Sequence, residues 1–159
     1  MNLQFVGLSA ETSDWSHART EGRIMALITW SDALSVNIKE LDDQHKCLIE
    51  LVNKLHDSMK SGKGNDVIGP VLSDLLSYTS FHFATEEKYF QQYAYPEFPR
   101  HKKEHNELTH KTKTLNNSYR EGKLTITIEV MTFLKDWLSN HILVSDKKYS
   151  SFLCSRGLS

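Results

Sequence analysis

Apolar residues recur at intervals of three and four positions along most of this 159-residue chain. That spacing gives a segment one apolar stripe of helical period, and it predicts amphipathic α-helices that pack their stripes together. Four segments of the chain have this pattern. The predicted helices cover residues 40–59, 66–93, about 100–121, and 125 or 127 to about 149.

Turn-forming residues separate the four patterns. The first helix is predicted to end at residues 61–64, which read Ser-Gly-Lys-Gly, and Asp66 can cap the second helix. Pro96 and Pro99 interrupt the pattern before the third helix, which ends at Gly122. Four helices joined by short links favour an all-α fold, an antiparallel up-down-up-down four-helix bundle.

The chain before the first helix has no sustained period. We predict that residues 29–39 form an irregular N-terminal arm packed across the bundle, with Trp30 and Val36 as apolar anchors. Residues 1–24 lack the basic start of a secretory signal, and we interpret them as a leader that is disordered or not native to the protein. Residues 25–159 would then be the folded domain.

Bulk composition narrows the classes of function. A formal net charge of −1 gives no reason to expect a nucleic acid or an anionic membrane as partner. No apolar run approaches the roughly 20 residues that a membrane span needs. The two cysteines, Cys47 and Cys154, are too few for a disulfide framework, so we expect a reducing, cytoplasmic location.

Histidines and acidic residues interrupt the inward stripes of the four predicted helices. His82 and Glu86 are four residues apart, as are His101 and His105, so each pair lies on one helix face. Single histidines occupy inward positions on the first and fourth helices. The candidate metal ligands are His45, His82, Glu86, His101, His105, His141 and Asp146.

The spacing of the last two candidates demands a special backbone. His141 and Asp146 are five residues apart, which is about 140° round a regular α-helix. Both side chains can face one site only if the helix widens between them. A single π-type turn spaces residues by five, so we predict one near residues 142–145.

Burying five imidazoles and two carboxylates in one bundle is costly unless metal ions satisfy them. Seven ligands are too many for one first-row ion, but they suit two ions that share the carboxylates as bridges. The set contains no thiolate, and iron, manganese, cobalt and zinc all remain open. Three histidines on one ion, two on the other and an oxo or hydroxo bridge would leave one position for a small ligand.

Motifs around these ligands extend from residue 28 to residue 149. They are Ile28-Thr29-Trp30-Ser31, Leu41-Asp42-Asp43-Gln44-His45, His82-x-x-x-Glu86, His101-x-x-x-His105, and Trp137-Leu138-x-x-His141-Ile142-x-x-x-Asp146-Lys147-x-Tyr149. Together they resemble the hemerythrin family, and within it the single-domain bacterial hemerythrins (bacteriohemerythrins). Every ligand position of the family pattern is matched.

The resemblance implies a non-haem di-iron centre that binds dioxygen at one of its two irons. It implies that His101, His105 and His141 hold the iron whose coordination is full. His45 and His82 would hold the iron that keeps one open position, and Glu86 and Asp146 would bridge the two irons. The apolar residues that flank His141 resemble the family's dioxygen pocket, besides serving as core. They are Trp137, Leu138, Ile142 and Leu143.

The resemblance therefore favours a non-enzymatic protein that binds dioxygen reversibly, as a carrier, store or scavenger, with an unidentified oxygen-consuming protein as a potential recipient. An oxygen or redox sensor module and a di-iron oxidase or peroxidase are the alternatives. No general acid or base beyond the ligands is visible for an enzyme. Six residues are within sequence reach to orient the ligands, and the sequence does not choose among them: Asp42, Asp43, Gln44, Glu87, Glu104 and Tyr149.

Overall fold

A computed structural model describes residues 25–62, 65–123, 125 and 127–159, so the predicted leader at residues 1–24 lies outside the described residues. Helices dominate the described chain, which contains no β-strand. In chain order the elements are a 3₁₀ turn at Asp32–Leu34, α1 at Lys39–Lys60, α2 at Asn65–Gln92, α3 at Phe98–Arg120, α4 at Ile128–Asn140, a π-helical turn at His141–Asp146, and α5 at Lys147–Cys154.

The helices pack as neighbours in a bundle. α2 lies between α1 and α3, and α4 packs against α1. The π-helical turn continues α4 directly into α5. The four-helix bundle expected from the apolar pattern is therefore confirmed, with the fourth helix extending past residue 149 to Cys154. None of the described helices is long and apolar enough to cross a membrane.

Positive backbone angles end the first and third helices where the sequence places glycine. Gly62 has φ +63 and its N–H bonds to the carbonyl of Met59, while Gly122 has φ +68 and bonds to Tyr119. A residue without Cβ adopts this left-handed conformation at no steric cost. Both helix ends agree with the prediction.

The link between α2 and α3 differs from the prediction. The chain reverses at Ala94, which has φ +52, before it reaches Pro96. Pro99 does not break a helix, because it occupies the first turn of α3, where a missing N–H costs nothing. The α3 helix therefore begins at Phe98, two residues before the predicted start. At α4, Thr127 rather than Thr125 is the N-cap, since its side chain accepts a hydrogen bond from Val130 N.

The N-terminal arm packs on the bundle as expected, although part of it is regular. Val36 is fully buried and Trp30 is half-buried against the core, with a 3₁₀ turn between them. Asp42 fixes the arm, because its Oδ1 accepts a hydrogen bond of 2.7 Å from Val36 N and its Oδ2 accepts one from the Ser35 hydroxyl.

Two clusters of buried side chains form the core. The larger, which we call the aliphatic core, contains Ile28, Leu34, Leu48, Ile49, Val52, Leu55, Val71, Leu72, Leu75, Phe83, Met131, Leu134, Trp137, Leu138 and Ile142. The smaller, which we call the aromatic core, joins the arm to α5 and contains Val36, Ile38, Leu41, Phe90, Tyr95, Tyr149 and Leu153.

Candidate metal centre

The seven candidate ligands are all buried, and none exposes more than 7% of its surface. α1 supplies one histidine, α2 a histidine and a glutamate, and α3 two histidines. The π-helical turn supplies the rest, since His141 and Asp146 are its first and last residues. The predicted π-type turn is thus confirmed, and its spacing directs both side chains to the common site.

The ligand atoms form two overlapping groups. In each group the atoms that could hold an ion lie within 4.8 Å of one another. One group has three histidines and the other has two. The three-histidine group consists of Glu86, His101, His105 and His141, and the two-histidine group consists of His45, His82, Glu86 and Asp146.

Glu86 offers one carboxylate oxygen to each group. Its Oε2 lies 3.0 Å from His105 Nε2 and 3.5 Å from His101 Nε2. Its Oε1 lies 3.5 Å from His82 Nε2 and 3.9 Å from His45 Nε2. This is the arrangement that a carboxylate bridging two cations requires.

Asp146 has the same divided geometry. Its Oδ1 lies 3.3 Å from the Nε2 atoms of both His101 and His141, and its Oδ2 lies 3.2 Å from His45 Nε2. Both carboxylates therefore stand between the two groups of histidines.

Hydrogen bonding does not satisfy the inner atoms of this cluster. Buried polar atoms normally find a partner, and a set of orphaned ones facing a common centre calls for an ion. The ligand atoms without a hydrogen-bond partner include His45 Nε2, Glu86 Oε2, His101 Nε2, His105 Nε2, His141 Nε2, Asp146 Oδ1 and Asp146 Oδ2. The residues present therefore fit a pair of metal ions.

Protonation states in the metal-free cluster follow from burial and from the two carboxylates. Burial lowers the pKa of His82 to about 4, so its ring is neutral at pH 7. Burial also acts on His101, but Asp146 and Glu86 outweigh it and raise the pKa to about 9. Burial disfavours charge on Glu86 as well, yet the surrounding imidazoles hold its pKa well below the ordinary value. A metal ion would have to displace a proton from His101.

Hydrogen bonds on the outer side of the rings orient two of the histidines. His82 Nδ1 donates to Gln44 Oε1 at 2.9 Å, and His105 Nδ1 donates to Glu87 Oε1 at 3.2 Å. A proton on Nδ1 leaves the Nε2 lone pair free to face the centre. The Tyr149 hydroxyl donates to Glu86 Oε1 in the same region.

The structure thus chooses among the six residues that the sequence left open. Gln44, Glu87 and Tyr149 contact ligands directly, and Glu104 Oε2 lies 3.8 Å from His141 Nδ1. The other two face elsewhere: Asp42 holds the arm, and Asp43 pairs with lysines on the surface.

Two phenylalanines beside the centre were not anticipated from the sequence. The Phe83 ring stacks on His105 with centroids 3.8 Å apart and planes inclined by 6°. The Phe90 ring stands edge-on to His101 at 4.9 Å. The two phenylalanines are seven residues apart on α2, and this helical spacing is the sequence signal that could have identified them. The hydrogen bond that Ser145 donates to Glu104 could not be inferred from the sequence, because it depends on the π-helical turn.

The four residues predicted to line a dioxygen pocket fall into two sets. Trp137, Leu138 and Ile142 are buried in the aliphatic core. Leu143 differs from these three residues, because it exposes 43% of its surface. The physical reason is that a residue two positions after His141 lies on the opposite side of the helical turn.

A helical bundle whose interior gathers five histidines and two carboxylates into two groups able to hold a metal ion defines a class of metal-binding helical proteins. The sequence profile described as "Hemerythrin HHE cation binding domain" matches residues 36–153 of the chain. The chain therefore belongs to the hemerythrin family.

Individual relatives agree with this assignment. A bacteriohemerythrin of Methylococcus capsulatus is 38% identical over 81% of this chain and 98% of its own length. One from Stenotrophomonas maltophilia is 33% identical over 79% of this chain and 81% of its own length. A crystal structure of wild-type hemerythrin has a TM-score of 0.75 at 38% identity, covering 80% of this chain and 98% of that one.

Proposed function

We propose that this protein binds dioxygen reversibly at a non-haem di-iron centre and acts as an oxygen carrier, store or scavenger. One observation carries the proposal: each buried carboxylate directs one oxygen to a group of three histidines and the other towards a group of two. Membership of the hemerythrin family, whose fold binds oxygen at non-haem iron, supports it.

We assign His101, His105 and His141 to one iron, because their Nε2 atoms surround Glu86 Oε2 and Asp146 Oδ1. The second iron is assigned to the two remaining histidines. Both carboxylates and one oxo or hydroxo group would bridge the pair. The first ion would then have six ligands and the second five, which leaves one position for a gas molecule. Bound iron would supply the electrons that hold dioxygen and recover them on release.

The composition of the ligand set favours return to the ferrous state. Five of the seven ligands are neutral imidazoles, so with two ferrous ions and a bridging hydroxide the centre keeps a net charge of about +1. A ligand set richer in carboxylates would stabilise the ferric ions and favour irreversible reduction of dioxygen. The residues of this chain therefore suit release of dioxygen better than its consumption.

Exclusion of water is the second requirement for reversibility. Trp137, Leu138 and Ile142 are proposed to form the apolar wall of the dioxygen pocket, because they are buried in the segment that carries His141. An apolar wall keeps stray protons away from bound gas. The same side chains fill the aliphatic core, so the two roles coincide.

The physiological setting is also part of the proposal. We expect a cytoplasmic protein that delivers oxygen to a separate oxygen-consuming recipient. The two cysteines, Cys47 and Cys154, are free thiols in the structure, which is compatible with a reducing compartment.

The test is a cycle of oxygenation followed by absorption spectroscopy. Iron-loaded, reduced protein is exposed to air and then flushed with argon. We expect about two irons per chain, in line with the ligand count, and a coloured adduct that disappears under argon and returns with air. Conversion to a stable ferric spectrum in the first exposure would instead indicate an oxidase or peroxidase.

A matched pair of histidine variants controls the experiment. His82→Ala removes a buried candidate ligand, and we expect it to abolish the coloured adduct. His110→Ala removes an exposed histidine of α3 that faces solvent, and it should leave iron content and spectrum unchanged. Equal behaviour of the two variants would overturn the ligand assignment.

A further inference from the structure

Tyr149 is a fully buried tyrosine that touches the metal centre without belonging to the ligand set. Its hydroxyl donates to Glu86 Oε1, and its ring centroid lies 5.7 Å from that of His101. A phenol is among the few side chains that can release a single electron together with a proton. An oxidisable group therefore stands in direct contact with a bridging carboxylate.

Aromatic rings continue from Tyr149 to the edge of the molecule. The centroid of the Tyr95 ring lies 6.5 Å from that of Tyr149, and the Phe90 ring lies 5.0 Å from Tyr149 and 5.1 Å from Tyr95. Beyond Tyr95, the half-buried Phe152 ring follows at 5.1 Å, and the exposed Arg156 lies over it at 3.7 Å. Ring contacts this close give strong electronic coupling between neighbouring tyrosines.

We propose that Tyr149 and Tyr95 form a relay that carries single oxidising equivalents from the metal centre to the protein surface. This relay rests on the di-iron centre proposed above, but its activity is distinct from dioxygen binding. Its substrate class is hydrogen peroxide, which arises whenever an oxygen-binding centre loses its gas in reduced form. The relay protects the ligands by moving the oxidising equivalent away from them.

One hydrogen peroxide molecule takes up two electrons and two protons and gives two water molecules. A single ferrous ion held by the centre would supply one electron, and Tyr149 supplies the other. The phenolic proton of Tyr149 passes along its existing hydrogen bond to Glu86 Oε1.

Tyr95 then restores Tyr149. It donates one electron, and Glu86 returns the proton to Tyr149. Tyr95 keeps 7% of its surface exposed, so its own phenolic proton leaves to solvent. Solvent supplies both protons that peroxide needs, and Tyr95 returns one to it, so the net uptake is one proton and the final product on the chain is a neutral radical on Tyr95.

Trp137 is the competing oxidisable side chain near the centre, and its contacts disfavour it. Its Nε1 is buried and has no hydrogen-bond partner among the described residues. An indole that loses an electron there has no group to accept its proton. Tyr149 has such an acceptor in Glu86, and it also has a second tyrosine behind it.

The full chain is loaded with iron and then reduced until a fraction of the molecules holds one ferrous ion. The sample is mixed with hydrogen peroxide and frozen. Electron paramagnetic resonance detects the radical, and ring-deuterated tyrosine identifies it by narrowing its signal. A nitroso spin trap followed by peptide mass spectrometry locates it. We expect a tyrosyl signal with the trap attached to Tyr95.

Three variants decide the outcome, each checked for iron content. Tyr149→Phe should lose the Tyr95 adduct, and Tyr95→Phe, which leaves the centre untouched, should retain the radical on Tyr149. Tyr93→Phe is the control, because it removes a nearby tyrosine outside the relay and should change nothing. A Tyr95 adduct that survives Tyr149→Phe, an adduct on Trp137, or no tyrosyl signal overturns the relay. If dioxygen binding is still reversible, the proposed function stands.

Discussion

The two halves of the candidate centre differ in the charge of the groups that hold their histidines from outside. In the three-histidine half, the acceptors are carboxylates: Glu87 bonds with His105, and Glu104 lies near His141. Surface cations hold these carboxylates in turn, since Lys102 pairs with Glu87 and Arg100 pairs with Glu104 at 3.3 Å. The three-histidine half is therefore linked to the surface by ion pairs.

The two-histidine half is held by neutral groups. His82 bonds with the Gln44 amide, which reaches Thr85 at 3.4 Å, and His45 Nδ1 has no hydrogen-bond partner among the described residues. A carboxylate draws the Nδ1 proton towards itself and makes Nε2 a stronger donor, whereas an amide does so less. The outer contacts of the three-histidine half therefore favour firm binding of an ion of higher charge. Those of the two-histidine half favour an ion that is easily reduced.

The largest effect is expected where the two halves share a ligand. Glu86→Gln removes the charge of the carboxylate that serves both, and we expect loss of both irons from the folded protein, since an amide is a poor bridge. Metal analysis after desalting measures it. Asp43→Asn, which neutralises a surface carboxylate of α1, is the control and should retain full iron content.

Retention of two irons by Glu86→Gln would contradict the bridging role. Retention of one would show instead that one half binds iron without the other. In that case the comparison predicts that the surviving ion belongs to the three-histidine half, because its histidines are held by carboxylates.

Acidity should act in opposite directions on His82 of the two-histidine half and His101 of the three-histidine half in the metal-free protein. The pKa of His82 is lowered to about 4 by burial, so its contribution is present above the unfolded value of 6.5 and is lost as pH falls towards 4. The pKa of His101 is raised to about 9, because the carboxylates outweigh burial, so its contribution is lost as pH rises from 6.5 to 9. Each loss is on the order of 3 kcal/mol.

Urea unfolding of metal-free protein at a series of pH values checks this expectation. Stability should peak near neutral pH, and His82→Gln should flatten the acid side of the profile alone. His101→Gln should flatten the alkaline side alone. A profile whose two sides respond to the same variant would contradict the opposite pKa shifts of His82 and His101.

Exchanging the residues that accept hydrogen bonds from His105 and His82 should alter the two halves of the centre separately. Glu87→Gln weakens the donor strength of His105, and we expect iron affinity to fall about 10- to 100-fold. Gln44→Glu places a carboxylate behind His82 and should speed conversion to the ferric state in air, with little loss of iron. Competition with a chelator measures the first effect and the rate of spectral change measures the second. An equal response in both assays would show that the outer charges do not distinguish the halves.

The sequence predicted the bundle and the inward positions of the seven clustered side chains because both depend on local spacing. Inward stripes, i,i+4 pairs and the five-residue gap between His141 and Asp146 can all be recognised without coordinates. The acceptors of the outer hydrogen bonds could not be chosen in this way. Glu87 meets His105 across two helices, and Gln44 meets His82 across another pair, so their contacts depend on packing.

Leu143 shows the limit of the same reasoning. Its neighbours in sequence are site residues, yet the π-helical turn that aligns His141 and Asp146 leaves Leu143 exposed. Proximity along the chain therefore does not establish a place in the pocket when the helical period changes.

The smallest expected effect separates Leu143 from its neighbour Ile142, which is only 1% exposed. Leu143→Ser should change stability by no more than about 0.5 kcal/mol and leave autoxidation in air at the wild-type rate, because the side chain already contacts water. Ile142→Ser, the matched variant, places a hydroxyl among the buried residues beside His141 and should accelerate autoxidation. Stopped-flow absorption under air compares the two rates. If Leu143→Ser is the faster variant, the dioxygen pocket opens on the exposed face of the π-helical turn rather than on the aliphatic core.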